Sequence, residues 1–151
     1  MAALIDYSAE YKDAFKEINM HWLEQYQLLE EYDLEVLNNP QKKIIDGGGH
    51  IYLAIEDGVL AGSAAIIFVE EGVYELAKMA VAPVYRGRGL SRLLIEKCLE
   101  KARLLGAKTV MLYSNSQLTT AIALYEKCGF RHVALEDSPF VTADVKMELS
   151  L

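Results

Sequence analysis

The chain has 151 residues, 52% of them apolar and 25% charged, with a formal net charge of −7. That is enough chain to bury the core of one ordinary globular domain over residues 1–151. An acidic protein lacks the basic face that nonspecific nucleic-acid binding needs, no apolar run approaches the ~20 residues of a membrane span, and "MAALIDYSAE" carries no secretory signal, which predicts a cytoplasmic protein with neither nucleic acid nor membrane as partner.

In chain order, "ALIDYS" reads as a short strand. Over residues 9–31, Phe15, Ile18, Trp22, Tyr26 and Leu29 recur at three- and four-residue steps, which predicts a helix. Asp33 is placed to cap a second helix, "DLEVL"; "NNP" breaks it, and "QKKII" gives another short one before "DGGG". Turn signals at "EDG" and "EEG" then divide an apolar stretch into an antiparallel meander over residues 50–56, 59–69 and 73–81. Residues 89–105 form the clearest helix, with Leu90, Leu93, Leu94, Cys98, Ala102 and Leu105 as its apolar stripe and Gly106 as its stop. "KTVMLYS" follows as a strand, "QLTTAIALYEKC" as a helix, and "FRHVAL" and "DVKMELSL" as closing strands. This is a mixed α/β layered domain. The last strands offer apolar surface for a homodimer, although "DVKMELSL" reads equally as an internal strand.

Cys98 and Cys128 lie in leucine-rich helical patterns without a C-x-x-C pair and read as core thiols. His21, His50 and His132 are far apart in sequence, so no metal site is expected.

The chain holds five arginines, and Arg86, Arg88 and Arg92 fall inside one seven-residue window with Gly87 and Gly89, between a strand and a helix. A helix start has unpaired N–H groups and partial positive charge, glycines let backbone approach an anion, and arginines add charge-assisted hydrogen bonds. The window reads as a phosphate or pyrophosphate cradle; the plainer alternative is a solvated basic helix start. A Walker loop is absent, and a dinucleotide fingerprint fails because Arg92 stands at its third glycine.

"RGRGLS" resembles the R/Q-x-x-G-x-G/A motif of the GNAT superfamily of N-acetyltransferases, with Arg86 first, Gly89 fourth and Ser91 where the family usually has Gly or Ala. "YELAKMAVAP" and "AIALYEKCGF" resemble the family's strand before the loop and its later helix. "ELAKMAV" together with "YSNSQLTTAIALY" is similar to one bacterial branch. The resemblance implies the GNAT fold, a mixed, mostly antiparallel central sheet flanked by helices. It also implies acetyl-CoA as cosubstrate, with no metal, and pyrophosphate binding by Arg86, Gly87, Arg88, Gly89, Leu90 and Ser91. Main-chain groups of Met79, Ala80 and Val81 would hold the oxyanion and the pantetheine amides.

Acetyl transfer to an amine requires a base, oxyanion stabilisation and protonation of the thiolate. Glu75, eleven residues before Arg86, is a carboxylate among apolar strand residues, an environment that raises a pKa toward base function; the alternative is a solvated strand edge. Strand alternation places it on the face of Ala77, Met79 and Val81, opposite Lys78. Glutamate at this spacing is the base in many GNAT enzymes, and the tyrosine matching Tyr125 is their usual general acid. Tyr125 otherwise reads as a core anchor beside Leu124 and Phe130. Leu118 stands where relatives often carry an asparagine; Asn115 is the nearest substitute, reaching the pantetheine arm or capping the next helix.

Residues 19–50 are expected to wall the acceptor side. Trp22, Tyr26 and Tyr32 with Glu24, Glu30, Glu31, Asp33 and Glu35 would favour a cationic amine, unless they are plain core and solvated surface. The expected reaction is acetyl transfer to the primary amine of a small molecule. The alternatives are a non-catalytic coenzyme-A sensor and acetylation of a peptide or protein amine.

Overall fold

The computed structural model describes residues 2–151. Seven strands, β1 (Ala3–Asp6), β2 (His50–Glu56), β3 (Val59–Glu70), β4 (Val73–Val81), β5 (Thr109–Ser114), β6 (Arg131–Val133) and β7 (Val145–Ser150), form one sheet in the order β1-β2-β3-β4-β5-β7-β6. Every pairing is antiparallel except β4 with β5. The sheet is therefore mixed and mostly antiparallel, as expected. The last strand, β7, is internal, and β6 takes the edge.

Four α-helices among the described residues, α1 (Lys12–Gln25), α2 (Glu31–Asn38), α3 (Leu90–Leu104) and α4 (Thr119–Lys127), cover the sheet, and the expected short helix forms at Gln41–Ile45. Two apolar clusters separate its faces. Phe15 of α1 and Val36 and Leu37 of α2 pack with Ile51, Leu53 and Ala65. Leu94, Ile95 and Cys98 of α3 pack with Tyr74, Leu76 and Val110.

Two boundaries and one buried stripe differ from the sequence reading. The helix predicted to run to residue 31 stops at Gln25: Gln27 turns left-handed at φ 57°, and Leu28 N–H closes on Leu23 C=O at 2.8 Å. The apolar period continues through this turn, so periodicity alone does not reveal the stop. Asp33 is not the N-cap of α2 but its third residue. Glu30 is the cap, and its backbone N–H donates to Asp33 Oδ2 at 3.0 Å in a capping box. On α3 the buried stripe is Leu90, Leu94, Ile95, Cys98, Leu99 and Ala102, whereas Leu93 and Leu105 are exposed. The helix ends as expected at Gly106, with Ala107 N–H on Ala102 C=O at 3.0 Å.

The segment between β6 and β7 folds back over the α1–α2 connection. Glu30 fastens it by accepting hydrogen bonds from the Val141 and Thr142 N–H groups, both at 2.9 Å, and from the Thr142 hydroxyl. Burial raises the Glu30 pKa, but these bonds outweigh it and the carboxyl lies below its usual range. Among the described residues no helix is long and apolar enough to cross a membrane.

Candidate active site

The sheet forks at β4. It pairs with β5 only from Val73↔Thr109 to Glu75↔Met111, and the two strands then part. Beyond Glu75 that edge of β4 has no strand partner. A cleft of about 650 Å³ opens there, bounded by β4, the turn before α3, and α4.

Beside the fork β4 carries a bulge. Ser63 pairs with Ala80 and Ala65 with Ala77, so Lys78 and Met79 together oppose Ala64, and Lys78 takes φ 53°. The bulge corrects the alternation expected from sequence. Lys78 does not lie opposite Glu75 but joins it: its ammonium is a charge neighbour of Glu75 and pairs with Asp33 Oδ1 at 2.9 Å. The two ion-pair side chains are 5% and 4% exposed. The bulge is braced beneath, where Asn19 Nδ2 donates to Ser63 Oγ and Ser63 Oγ–H donates to the Lys78 C=O.

The glycine turn closes one end of the cleft. Gly87 and Gly89 sit at φ 78° and 79°, and a Cβ on either would meet no protein atom within 4 Å. Gly89 caps α3 without a side-chain hydrogen bond, and among the described residues no N–H from Gly87 to Arg92 donates to a protein carbonyl. Six N–H groups without a carbonyl partner, at a helix start, fit a pyrophosphate. Arg86 lines the cleft, its Nε donating to Val81 C=O at 3.2 Å. Arg92, not assigned from the motif, also lines it. Arg88 faces elsewhere, pairing with Glu56 at 3.2 Å over the Tyr85 ring. Gly87, Gly89, Leu90 and Ser91 line the cleft, as do Met79, Ala80 and Val81 across from them.

Tyr125 stands on the α4 wall of the cleft, edge-on to Phe130, and burial pushes its phenol up to about 12. Glu75 is 8% exposed and does not line the cleft. Its carboxyl is pushed up to about 7 by burial; Lys78 opposes that rise and Asp33 adds to it. Asn115 is spent on structure: Nδ2 donates to Thr142 C=O at 2.8 Å and Oδ1 accepts from Gln117 N–H at 3.0 Å.

A smaller cavity of about 90 Å³ adjoins the cleft, with Trp22, Ala77, Lys78, Ser114 and Leu118 shared between their walls. Asn19, Asp33, Asn115 and Thr142 complete its polar lining. The acidic wall expected here does not form. Glu24, Glu31 and Glu35 are exposed and line neither space, Glu30 holds the β6–β7 segment, and Asp33 is neutralised by Lys78. Trp22 and Tyr26 do reach the cleft. A lysine standing alone in the apolar run "ELAKMAV" was the one sequence signal for the buried pair.

Among proteins of known sequence, the chain is 31% identical over 115 residues to the uncharacterized N-acetyltransferase YvbK of Bacillus subtilis, covering 74% of each chain. It is 37% identical over 105 residues to the uncharacterized N-acetyltransferase YjgM of Escherichia coli, covering 66% of this chain and 63% of that one. Its fold superposes with a TM-score of 0.82 on yncA, a putative acetyltransferase of Salmonella typhimurium solved with acetyl-CoA, at 20% identity over 99% of this chain and 94% of that one. The sequence pattern of the acetyltransferase (GNAT) family matches residues 8–130, a span that takes in the forked strands, the bulge, the glycine turn and the tyrosine helix, and the chain belongs to that family.

Proposed function

We propose that this acetyltransferase moves an acetyl group from acetyl-CoA to the primary amine of a small molecule. The observation that carries the reading is one cleft that joins a turn of unpaired N–H groups, an unpartnered strand edge and a protonated phenol. Acetyl-CoA, when bound, supplies the thioester that the amine attacks. The N–H groups of Gly87 to Ser91, with Arg86 and Arg92 alongside, hold its pyrophosphate. Main-chain groups of Met79, Ala80 and Val81 hold the amide arm and the developing oxyanion.

Glu75 takes the amine proton. A carboxyl with a pKa near 7 is half ionised at neutral pH, which suits a general base. Because Glu75 lies outside the cleft wall, the proton reaches it through an intervening water. Tyr125 serves the leaving group. Against an ordinary thiol near ~8.5, full transfer from a phenol at about 12 is uphill by about 3.5 pK units, ~5 kcal/mol, so Tyr125 donates a hydrogen bond to the sulfur rather than giving up its proton early. Tyr125→Phe loses that charge-assisted bond, worth ~2 kcal/mol, and is expected to lower kcat about thirtyfold with coenzyme affinity nearly unchanged. Normal turnover in a destabilised variant would return Tyr125 to the core.

The test of the whole reading is thiol release from acetyl-CoA across a panel of amino acids, polyamines, aminoglycosides and peptides. Coenzyme binding without release in any arm favours the sensor, and release with peptides alone favours a protein acceptor.

A further inference from the structure

Two polar side chains are fully buried among apolar residues between α1 and the sheet. Asn19 sits in the middle of the buried stripe Phe15, Asn19 and Leu23 of α1, and Ser63 stands in the buried run 60–66 of β3; both are 0% exposed. Leucine and alanine at these places would pack without burying a polar group. The two side chains form a directed chain instead. Asn19 Nδ2 gives one N–H to Phe15 C=O at 3.0 Å and the other to Ser63 Oγ at 3.1 Å. An amide nitrogen only donates, so Ser63 Oγ accepts there, and its own proton goes to Lys78 C=O at 2.8 Å. The chain therefore ends on the carbonyl of the β4 bulge.

A planar trans peptide sets its C=O and N–H in opposite directions, so a Lys78 carbonyl held by Ser63 of β3 aims the next N–H, that of Met79, away from β3. The ladder agrees. Ala82 N–H donates to Ala61 C=O of β3 at 2.8 Å, and N–H groups alternate between the two edges of a strand. Ala80 N–H therefore also faces β3, while Met79 and Val81 N–H face the unpartnered edge along the cleft. A bulge disrupts the ladder locally, and Lys78 is left-handed there, so the ladder by itself does not fix this peptide plane. We propose that Ser63, oriented by Asn19, is a positioning residue for acetyl transfer: its hydroxyl pins the Lys78–Met79 peptide so that Met79 N–H stays aimed at the oxyanion forming on the thioester carbonyl. The inference deepens the acetyl-transfer reading and rests on it. Ser63 lines neither the cleft nor the smaller cavity, so it acts through the backbone alone.

Ser63→Ala deletes one buried oxygen and leaves the backbone donor in place. The protein is saturated with acetyl-CoA carrying carbon-13 at the acetyl carbonyl, and infrared difference spectra against unlabelled acetyl-CoA give the stretching frequency of the bound thioester carbonyl. A hydrogen bond to that oxygen lowers the frequency. The wild type is expected to hold it below the value of free acetyl-CoA, Ser63→Ala to return it most of the way, and Asn19→Ala, which lets the hydroxyl rotate, to lie between. Losing an oxyanion donor outright costs ~10²–10³-fold in kcat, and a loosened one costs less. With the best amine of the panel, Ser63→Ala is therefore expected to lower kcat about thirtyfold per coenzyme-binding molecule, with the amine KM and the coenzyme Kd each changed by less than about threefold. Ser63→Thr, which keeps the hydroxyl on a residue suited to a strand, is expected to recover most of kcat. A wild-type frequency equal to that of free acetyl-CoA, a Ser63→Ala frequency equal to that of the wild type, or a loss of kcat matched by weaker coenzyme binding overturns the proposal. A carbonyl shift that depends on Ser63 in a protein that acetylates no amine supports the positioning and sinks the transfer reading instead.

Discussion

Glu75→Gln is expected to slow turnover about a thousandfold, within the range a general base supplies, and at the same time to make the protein harder to unfold at pH 8. The two effects share a cause. Burial lifts the carboxyl from an ordinary ~4.3 to about 7, so ionising it in the folded chain costs roughly 3.5–4 kcal/mol relative to ionising it in the unfolded one. Below about pH 4 both states hold the proton and the wild type keeps its full stability. As pH rises the unfolded chain ionises first while the native carboxyl stays protonated, so stability falls until Glu75 itself titrates near pH 7, and is level above. Glutamine cannot ionise and escapes this loss. The variant should therefore gain roughly 5–10 °C in Tm at pH 8, the gain shrinking toward pH 4. The acidic limb of kcat/KM, with its midpoint near pH 7 in the wild type, should flatten in the variant. Urea unfolding of both proteins at pH 4, 6 and 8, with rate–pH profiles, decides the matter. Equal stability at pH 8 would mean a solvated Glu75, and full activity would move the base elsewhere.

What the sequence disclosed and what it concealed follow from range. The glycine turn, the meander and the strand–helix order are written in local chemistry. A turn needs glycines within a few residues, and "EDG" gives the expected two-residue hairpin at Glu56↔Val59. The bulge at Lys78 was hidden because strand alternation assumes a regular ladder, whereas a bulge is set by the partner strand. Only the observed Ser63↔Ala80 and Ala65↔Ala77 register shows that Lys78 turns toward Asp33, 45 residues earlier in the chain. The acids of residues 24–35 failed as a cationic-amine wall for the same reason. Composition records that Glu30 and Asp33 are acidic, but not that Thr142 and Lys78 arrive from distant elements to satisfy them. Asn115 shows the same limit. Its capping role is not taken up: α4 starts at Thr119 behind Leu118 with no side-chain cap, and Asn115 instead closes a local turn through Gln117 N–H and holds Thr142 C=O, a partner 27 residues away that the sequence does not announce.

Gly89→Glu is expected to weaken coenzyme A binding at least a hundredfold, about 2.7 kcal/mol, in a protein that still folds. The fold should survive because a Cβ at this position meets nothing within 4 Å, and holding a side-chain residue at φ 79° costs only about 1–2 kcal/mol. Binding should not survive, because the cradle works through unpaired N–H groups and positive charge. A carboxylate ~5 Å from a phosphate charge at an effective dielectric of ~20 contributes about 3 kcal/mol of repulsion, which alone accounts for the loss. Gly89→Ala carries the bulk and the backbone cost without the charge, so it should fall between the two. Arg88→Ala is the informative contrast. Its guanidinium is paired with Glu56 and lies over Tyr85, and Arg88 itself does not line the cleft, so its removal should change affinity less than threefold although it belongs to the same motif. Calorimetric titration of coenzyme A into the four proteins gives the ranking. A folded Gly89→Glu variant with normal affinity would remove the pyrophosphate from this turn. A loss in Arg88→Ala as large as that in Gly89→Glu would mean that Arg88 leaves Glu56 to reach the phosphates when the coenzyme binds.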